Sequence, residues 1–346
     1  MIIGTADEGL ESRHWTFADG GEEMNKTVLA FLAAAALLPM GQLAQSQAYP
    51  ARPVRLVVPS SPGGGTDASA RIIAPRLSEL LGQQVVVENR PGAATMIGLE
   101  VVAKSPPDGY TLVMANSTMA ILPSMRRNPR MDVIRGFAPI TLVASNPQIL
   151  VSHTSLPVKT LKQLIAFARA RPGTLDYASG GYGGNPHMCM ELFLSMAGLK
   201  ITYVPYKSGN AGLTDVLGGQ VPIMMASVLS ALPHVRNARL RAYGVTTAQR
   251  FSSVPDIPTI AEAGVPGYDA TQWFGILAPA GTPRDIIARL HGDVVRALKE
   301  PEVRKRFVVD GSDTVASSSP EEFAAYIRAD EAKWAKVVKD AGLKPE

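Results

Sequence analysis

Short apolar runs alternate with amphipathic stretches from about residue 54 to the end of the chain. The apolar runs predict strands, and apolar positions spaced three or four residues apart predict helices between them. The predicted strands are 54–58, 84–89, 111–115, 140–152, 175–178, 201–204, 221–227, 240–246 and 273–279. The predicted helices include 68–81, 93–104, 230–237, 283–298 and 320–341, with others after residues 160, 185 and 210. This alternation is typical of an α/β protein whose sheets are mostly parallel and flanked by helices.

The first strand leads into a glycine turn and a helix. The run Val54–Val58 stops at Pro59, three glycines follow at 63–65, and Thr66 or Asp67 is a candidate N-cap. Glycine lets the backbone take positive φ and lie close to a ligand. The N–H groups and the positive end of the helix dipole then favour an anion, so we interpret this turn as a carboxylate-binding corner.

Two other interpretations of this corner stay open on sequence grounds. The glycines can serve the geometry of a strand-to-helix turn and nothing more. Residues 63–68 also match the G-x-G-x-x-A dinucleotide fingerprint, and Glu88 ends the next strand where a ribose-binding acid would sit. An NAD-dependent enzyme would, however, not be expected to carry an export signal.

Residues 1–48 are predicted to be a leader that is removed. A basic n-region after Met24, an apolar block at 28–38 and small residues before Ala48 form a signal peptide with cleavage after Ala48, and we treat 1–23 as an over-long start. The remaining chain would therefore be exported to the periplasm. Cys189 is the only cysteine, so no intrachain disulfide forms despite export.

The charge of the exported part favours anionic ligands. The leader holds two of the 34 basic and six of the 30 acidic side chains, which leaves 32 against 24 and a formal charge of +8. No basic run with interleaved aromatic residues occurs, so nucleic acid is not a predicted partner. We expect no cofactor and no metal site, because His187 and Cys189 alone are too few ligands.

The strand, glycine turn and helix recur in the second half of the chain. The turn 179–187 has Asn185 as candidate N-cap, and 205–210 is a third such turn with Asn210 as candidate cap. We predict two domains, 49–150 plus 272–346 and 151–271, with hinge crossings near 140–152 and 268–279. A cleft between such domains closes around a small ligand.

Motifs for catalysis are absent from the sequence. It contains no G-x-S-x-G, H-E-x-x-H or G-K-[ST] motif, and its five histidines are scattered. His187 and Asp67 are the candidate acid–base residues for the alternative of an exported enzyme. We predict that the protein binds a ligand and is not an enzyme.

Several motifs together closely resemble the receptors of tripartite tricarboxylate transporters, also called Bug proteins, and the resemblance covers 49–346. The motifs are Pro50–Pro59, Pro62–Asp67, Val87–Gly92, Pro107–Leu112, Val204–Lys207, Leu217–Val221, Pro258–Thr259, Glu262–Gly264 and Trp273–Pro283. The resemblance implies a monomeric periplasmic Venus-flytrap receptor that carries a small carboxylate to the membrane subunits of such a transporter. A ligand sensor remains an alternative.

In that family the ligand is held by loops that follow strands, mainly through backbone amides and hydroxyls. Carried over, the implied ligand-binding residues are Ser60, Ser61, Gly63, Gly64, Gly65, Thr66, Asp67, Asn116, Ser117, Thr118, Ser179, Gly180, Tyr182, Asn185, His187, Tyr206, Ala226 and Ser227. The chain departs from many relatives at Ala226 and Ser227, where Asp-Asn is frequent. We therefore hypothesise a ligand without an amino group.

Overall fold

The predicted strands form two β-sheets in the computed structural model, which describes residues 49–126 and 132–345. The predicted leader and its cleavage site lie outside these residues. The strands are β1 (Val54–Val58), β2 (Val85–Asn89), β3 (Thr111–Asn116), β4 (Phe137–Asn146), β5 (Gln148–His153), β6 (Asp176–Gly180), β7 (Thr202–Tyr206), β8 (Ile223–Ser227), β9 (Leu240–Val245), β10 (Gln272–Pro279) and β11 (Asp313–Thr314).

Helices connect and cover these strands. They are α1 (Gly65–Leu81), α2 (Met96–Ala103), α3 (Thr118–Met125), α4 (Leu161–Ala170), α5 (Asn185–Ala197), α6 (Gly209–Leu217), α7 (Val228–Arg236), α8 (Ile260–Ala263), α9 (Arg284–Lys299), α10 (Pro301–Val309) and α11 (Pro320–Asp340). No helix among the described residues is long and apolar enough to span a bilayer.

Each sheet is parallel on one side and antiparallel on the other. The first sheet has the order β11-β4-β10-β3-β1-β2, in which β1 pairs in parallel with β2 and β3. The second has the order β7-β6-β8-β5-β9, in which β6 pairs in parallel with β7 and β8. The long strand β10 is antiparallel to both of its larger neighbours, β3 and β4. The predicted α/β class with two helix-flanked sheets is confirmed.

The chain passes between the sheets at two adjacent places. Residues 140–152 are not one extended segment as predicted, because Pro147 separates β4 in the first sheet from β5 in the second. The return passes from β9 to β10, and the Nε2 of Gln148 donates to the Oε1 of Gln272 at 3.4 Å. These passages lie within both predicted hinge segments. The domain limits themselves stay a prediction.

One apolar core extends from the first sheet to the second. It includes Phe193 of α5 together with Trp273 of β10 and Trp334 of α11, all fully buried. The indole Nε1 of Trp273 donates to the carboxylate of Asp330 at 2.8 Å. Helix α11 therefore covers the start of β10, where the chain has just returned to the first sheet.

Several predicted helix starts are corrected. The N-caps are Gly64, Gly184 and Ser208, whereas the sequence analysis favoured Thr66 or Asp67, Asn185 and Asn210. In each turn the helix begins one or more residues earlier than the polar cap residue suggests. Helix α2, in contrast, begins three residues late, because Ala93, Ala94 and Thr95 all have positive φ. Helices α8 and α10 were not predicted at all.

We predict that Gly275 in β10 is required for α11 to lie against the sheet. A β-carbon at Gly275 would collide with the ring of Phe323 and lie 3.1 Å from the carbonyl oxygen of Thr141. Gly275→Ala should lower the free energy of unfolding by about 1–3 kcal/mol through overpacking. Urea unfolding measures this change.

The matched control is a double mutant. Phe323→Leu makes room at the same place, so Gly275→Ala should cost less in that background than in the wild type, and the two changes should not be additive. Additive losses would show that the two residues do not press on each other.

Candidate functional site

The first glycine turn has the positive φ that the sequence predicts, at one of its three glycines. Gly63 has φ +81°, whereas Gly64 is extended with φ −83°. Gly65 opens α1, and a β-carbon there would lie 3.0 Å from the ring of Phe274. The turn therefore brings the backbone of α1's first residues close to the side chain of β10.

Asp67 stabilises this turn from inside. It is 3% exposed, and its carboxylate accepts hydrogen bonds from the Gly63 N–H at 2.9 Å, Asn89 Nδ2 at 2.8 Å and Arg71 Nε at 3.0 Å. Burial alone would raise the pKa of Asp67, but these donors outweigh burial and hold the pKa below its ordinary value. The carboxylate is thus an ionised acceptor for three donors of the protein itself.

The end of β3 is connected to the same helix. The Nδ2 of Asn116 donates to Thr66 Oγ1 at 2.9 Å, and its Oδ1 accepts the N–H of Thr118 at 3.0 Å. Asn116 therefore fixes the first turn of α1 relative to the start of α3. Its side-chain amide thus connects two segments that the sequence analysis predicted to bind the ligand.

A hydrogen bond links predicted site residues that follow strands of different sheets. Ser117 is fully buried after β3, and its Oγ accepts from Asn185 Nδ2 at 3.1 Å. Asn185 is therefore a helical residue that bonds across to the loop of the first sheet, which explains why its side chain does not cap α5.

His187 lies in an aromatic cluster. It is 1% exposed, its ring centroid lies 4.5 Å from that of Tyr203 and 5.1 Å from that of Tyr182, and its Nδ1 accepts the Gly183 N–H at 3.1 Å. Burial lowers the pKa of His187 to about 4. The imidazole is therefore neutral and acts as an acceptor that holds the second glycine turn.

Three more of the predicted residues in the second half, Tyr182, Tyr206 and Gly180, have contacts within the protein, and Ser179 does not hydrogen-bond through its hydroxyl to the described part of the chain. The backbone N–H of Lys344 donates to the Tyr182 hydroxyl at 3.0 Å. The Tyr206 hydroxyl donates to Asp215 at 2.7 Å. Ser179 is buried, and its Oγ has no partner among the described residues. A β-carbon on Gly180 would collide with the backbone of Gly209, so β6 and the start of α6 are in close contact.

A cleft of about 430 Å³ lies between elements of the two sheets. Its wall is formed by Gly63, Gly65, Ala68, Asn146, Gln148, Pro186, Ser208, Gly209, Asn210, Leu213, Met224, Met225, Ala226, Ser227, Leu229, Ser230, Gln272, Phe274 and Asp310. Of the predicted binding residues, the wall includes Gly63, Gly65, Ala226 and Ser227. The others are not among the residues that border the cleft, and their role in binding stays a prediction.

First-turn or capping residues of four helices meet on this wall. Gly65 belongs to α1, Pro186 to α5, Ser208 caps α6 and Ser227 caps α7. The first N–H groups of a helix have no partner within it, and the helix dipole adds positive potential at that end. Among the described residues that form the wall there is no Lys, Arg or His. The cleft is therefore suited to an anion held by backbone donors.

Several wall residues were missed, for identifiable reasons. Asn146, Gln148 and Gln272 lie at the passages between the sheets, where a polar residue at the end of an apolar run is a usable signal. Met224 and Met225 are core residues as expected, each 1% exposed, yet they also border the cleft. Asp310 follows a helix that the sequence analysis did not predict.

Glu88, the acid of the dinucleotide alternative, has partners within the protein. Its carboxylate accepts from Arg55 at 2.8 Å and also pairs with Arg90. The hydrogen bond from Arg55, helped by Arg90, lowers the pKa of Glu88 against the effect of burial. Glu88 of β2 thus forms an ion pair with Arg55 of the neighbouring strand β1.

Comparison with known proteins gives the family. The family model described as tripartite tricarboxylate transporter family receptor matches residues 69–343. The Rpa4515 structure from R. palustris with adipate has 37% identity and a TM-score of 0.73, covering 86% of this chain and 100% of that one. The structure of periplasmic binding protein BugD has 31% identity and a TM-score of 0.71, and the match covers 86% of this chain and 100% of BugD. MatC from Rhodopseudomonas palustris with bound malate has 30% identity and a TM-score of 0.70, and the match covers 84% of this chain and 100% of MatC.

We predict that His187 makes folding sensitive to acid. The pKa of His187 is about 4 in the folded protein and about 6.5 in the unfolded chain, so the unfolded chain takes up a proton first as the pH falls. The stability that the neutral imidazole gives the fold is therefore complete above pH 6.5 and is lost as the pH falls toward 4. From pH 7 to pH 5 the wild type should lose about 2 kcal/mol through this group. Urea unfolding of His187→Asn, which keeps an acceptor for the Gly183 N–H, should show a correspondingly smaller loss. An identical loss in both proteins would contradict the neutral buried imidazole.

Proposed function

This chain belongs to the tripartite tricarboxylate transporter family of receptors, and from that premise we propose that it is an exported receptor for a small organic acid. It captures the acid in the cleft and delivers it to the membrane subunits of a tripartite tricarboxylate transporter. The observation that carries this proposal is the convergence of helix N-termini on a wall that has no basic side chain among the residues the structure describes. The family consists of receptors and not enzymes, so the two enzyme alternatives are set aside.

The ligand class is supported by what related receptors hold. One relative is described with adipate and another with malate, which are both small aliphatic dicarboxylates. A cleft of about 430 Å³ has the size of a small-molecule site. We infer that a carboxylate group of the ligand accepts hydrogen bonds from backbone N–H groups at the starts of α1, α6 or α7.

The hypothesis of a ligand without an amino group loses its main support. Ala226 and Ser227 indeed provide no carboxylate, but Asp310 places one elsewhere on the cleft wall.

The test of the receptor proposal is a binding screen of residues 49–346. Native mass spectrometry should find a monomer with a small co-purifying acid, and thermal-shift measurements with malate, adipate, shorter monocarboxylates and NAD should find stabilisation by an acid that is recovered unchanged. Binding to the folded state alone raises the melting temperature by mass action. Stabilisation by NAD and by no acid would contradict the proposal.

A charge variant in the cleft tests where the acid binds. Ser227 caps α7 on the cleft wall, and both Asp and Asn are good N-caps, so Ser227→Asp and Ser227→Asn differ mainly in charge. Ser227→Asp should weaken binding of the acid found in the screen at least tenfold, because two like charges then share the cleft. Ser227→Asn should leave the affinity within a few-fold of wild type. Equal affinities would place the acid elsewhere.

Closure around the ligand is the second part of the proposal. The adjacent passages at Pro147 and before Gln272 are suitable hinges, since a few residues at the ends of elements absorb such motions. Small-angle X-ray scattering should show a smaller radius of gyration after the acid is added. An unchanged radius at saturating acid would contradict closure on binding.

Delivery to a transporter distinguishes the receptor from a sensor. Cells that lack this chain should take up the bound acid more slowly if it serves a transporter. Unchanged uptake together with a lost transcriptional response to the acid would favour the sensor.

A further inference from the structure

Asp310 is the single charged side chain among the described residues that form the cleft wall. It follows the last turn of α10, where its N–H donates to the carbonyl of Arg306 at 3.0 Å. Its carboxylate has no hydrogen bond and no ion pair from any described residue. The three fully buried acids among the described residues, Asp67, Asp293 and Asp330, all have such a partner.

The surroundings of Asp310 make this lack of a partner significant. It borders the cleft beside Ala68 of α1 and Leu229 of α7, two residues that also border an outer groove. Asp310 itself borders that groove too, and the other charged groups there are Arg71, Glu302, Lys305 and Arg306. Arg71 is already bonded to Asp67 and Asn89. Burial, with no compensating donor, raises the pKa of Asp310. A half-buried carboxylate without a partner is costly, and a ligand donor relieves that cost.

The helix N-termini of this cleft favour an anion, whereas the carboxylate of Asp310 on the same wall repels one. An acid whose second end is also an ionised carboxylate would place like charges together in a partly desolvated site. An acid whose second end is an ammonium or a hydroxyl would instead give Asp310 the donor that the protein does not supply. The difference between these two cases is a difference in ligand selectivity.

We propose, building on the receptor function above, that Asp310 is a specificity-determining residue. It accepts a hydrogen bond from a donor group, ammonium or hydroxyl, on the ligand and disfavours a second ionised carboxylate there. The ligand class is thus a small acid with its carboxylate at the helix N-termini and a hydrogen-bond donor at the other end.

The test uses acids that differ at one end only. Isothermal titration calorimetry of residues 49–346 compares succinate with 4-aminobutanoate, 4-hydroxybutanoate and butanoate, and adipate with the matching six-carbon acids. In the wild type the amino or hydroxy acid should bind at least tenfold more tightly than the dicarboxylate and the unsubstituted acid of equal length. The ammonium and hydroxyl arms show which donor is preferred.

The decisive comparison is between two charge-removing variants. Asp310→Asn should shift the affinity ratio toward the dicarboxylate at least tenfold, and Asp310→Ser should do the same if the asparagine variant folds poorly. Glu302→Gln removes a nearby negative charge that borders the outer groove but not the cleft, so its ratio should stay within twofold of wild type.

The outcomes separate this proposal from the receptor function. A dicarboxylate preference in the wild type, or a ratio in Asp310→Asn within twofold of wild type, would overturn the role of Asp310 and leave the receptor function intact. Equal shifts of the affinity ratio in Asp310→Asn and Glu302→Gln would overturn this role as well, because they would reflect the loss of any nearby negative charge and not a contact of Asp310 with the ligand. Failure of every acid to bind would overturn the receptor function, and the role of Asp310 with it.

Discussion

The proposed anion site depends on a cleft whose wall contains no cation among the described residues. Backbone N–H groups at helix starts are the donors available, and they act only when the backbone itself faces the ligand. This constraint explains the glycine turns after β1 and β6, the close approach of Gly65 to Phe274, and the close contact of Gly180 with Gly209. Apart from Asp310, the described side chains at the cleft are small, amide-bearing or apolar, which fits a site where the main chain supplies most of the polar contacts.

Polar side chains behind the cleft hold this backbone in place. Asp67 accepts from the turn that precedes its own helix, and Asn116 connects that helix to the next loop. His187 has the same role in the second turn, where its neutral ring accepts a backbone N–H. These residues are of the types that a reader of the sequence assigns to ligand binding. Their observed partners are instead groups of the protein, and an effect of mutating them on affinity would pass through the backbone they position.

The sequence predicted the regular part of the fold well, for physical reasons. Buried strands such as β1 and β3 are mostly apolar runs, and α11 starts at a clear Ser319-Pro320 signal with Ser319 as its N-cap. Helix starts failed because the true caps, Gly64 and Gly184, have no side-chain signal and the nearby polar residue attracted the prediction. Residues such as Asp310 come to the cleft only through tertiary packing, and no local pattern around an unpredicted helix announces that position.

The most direct test of the account is the ¹H–¹⁵N chemical-shift map of deuterated residues 49–346, titrated with the acid that most raises the melting temperature. The account predicts that the largest amide shifts occur in the first turns of α1 and α6 and at the start of α7, on both sides of the cleft. Large shifts confined to residues outside the cleft wall would contradict the claim that helix N-termini hold the ligand.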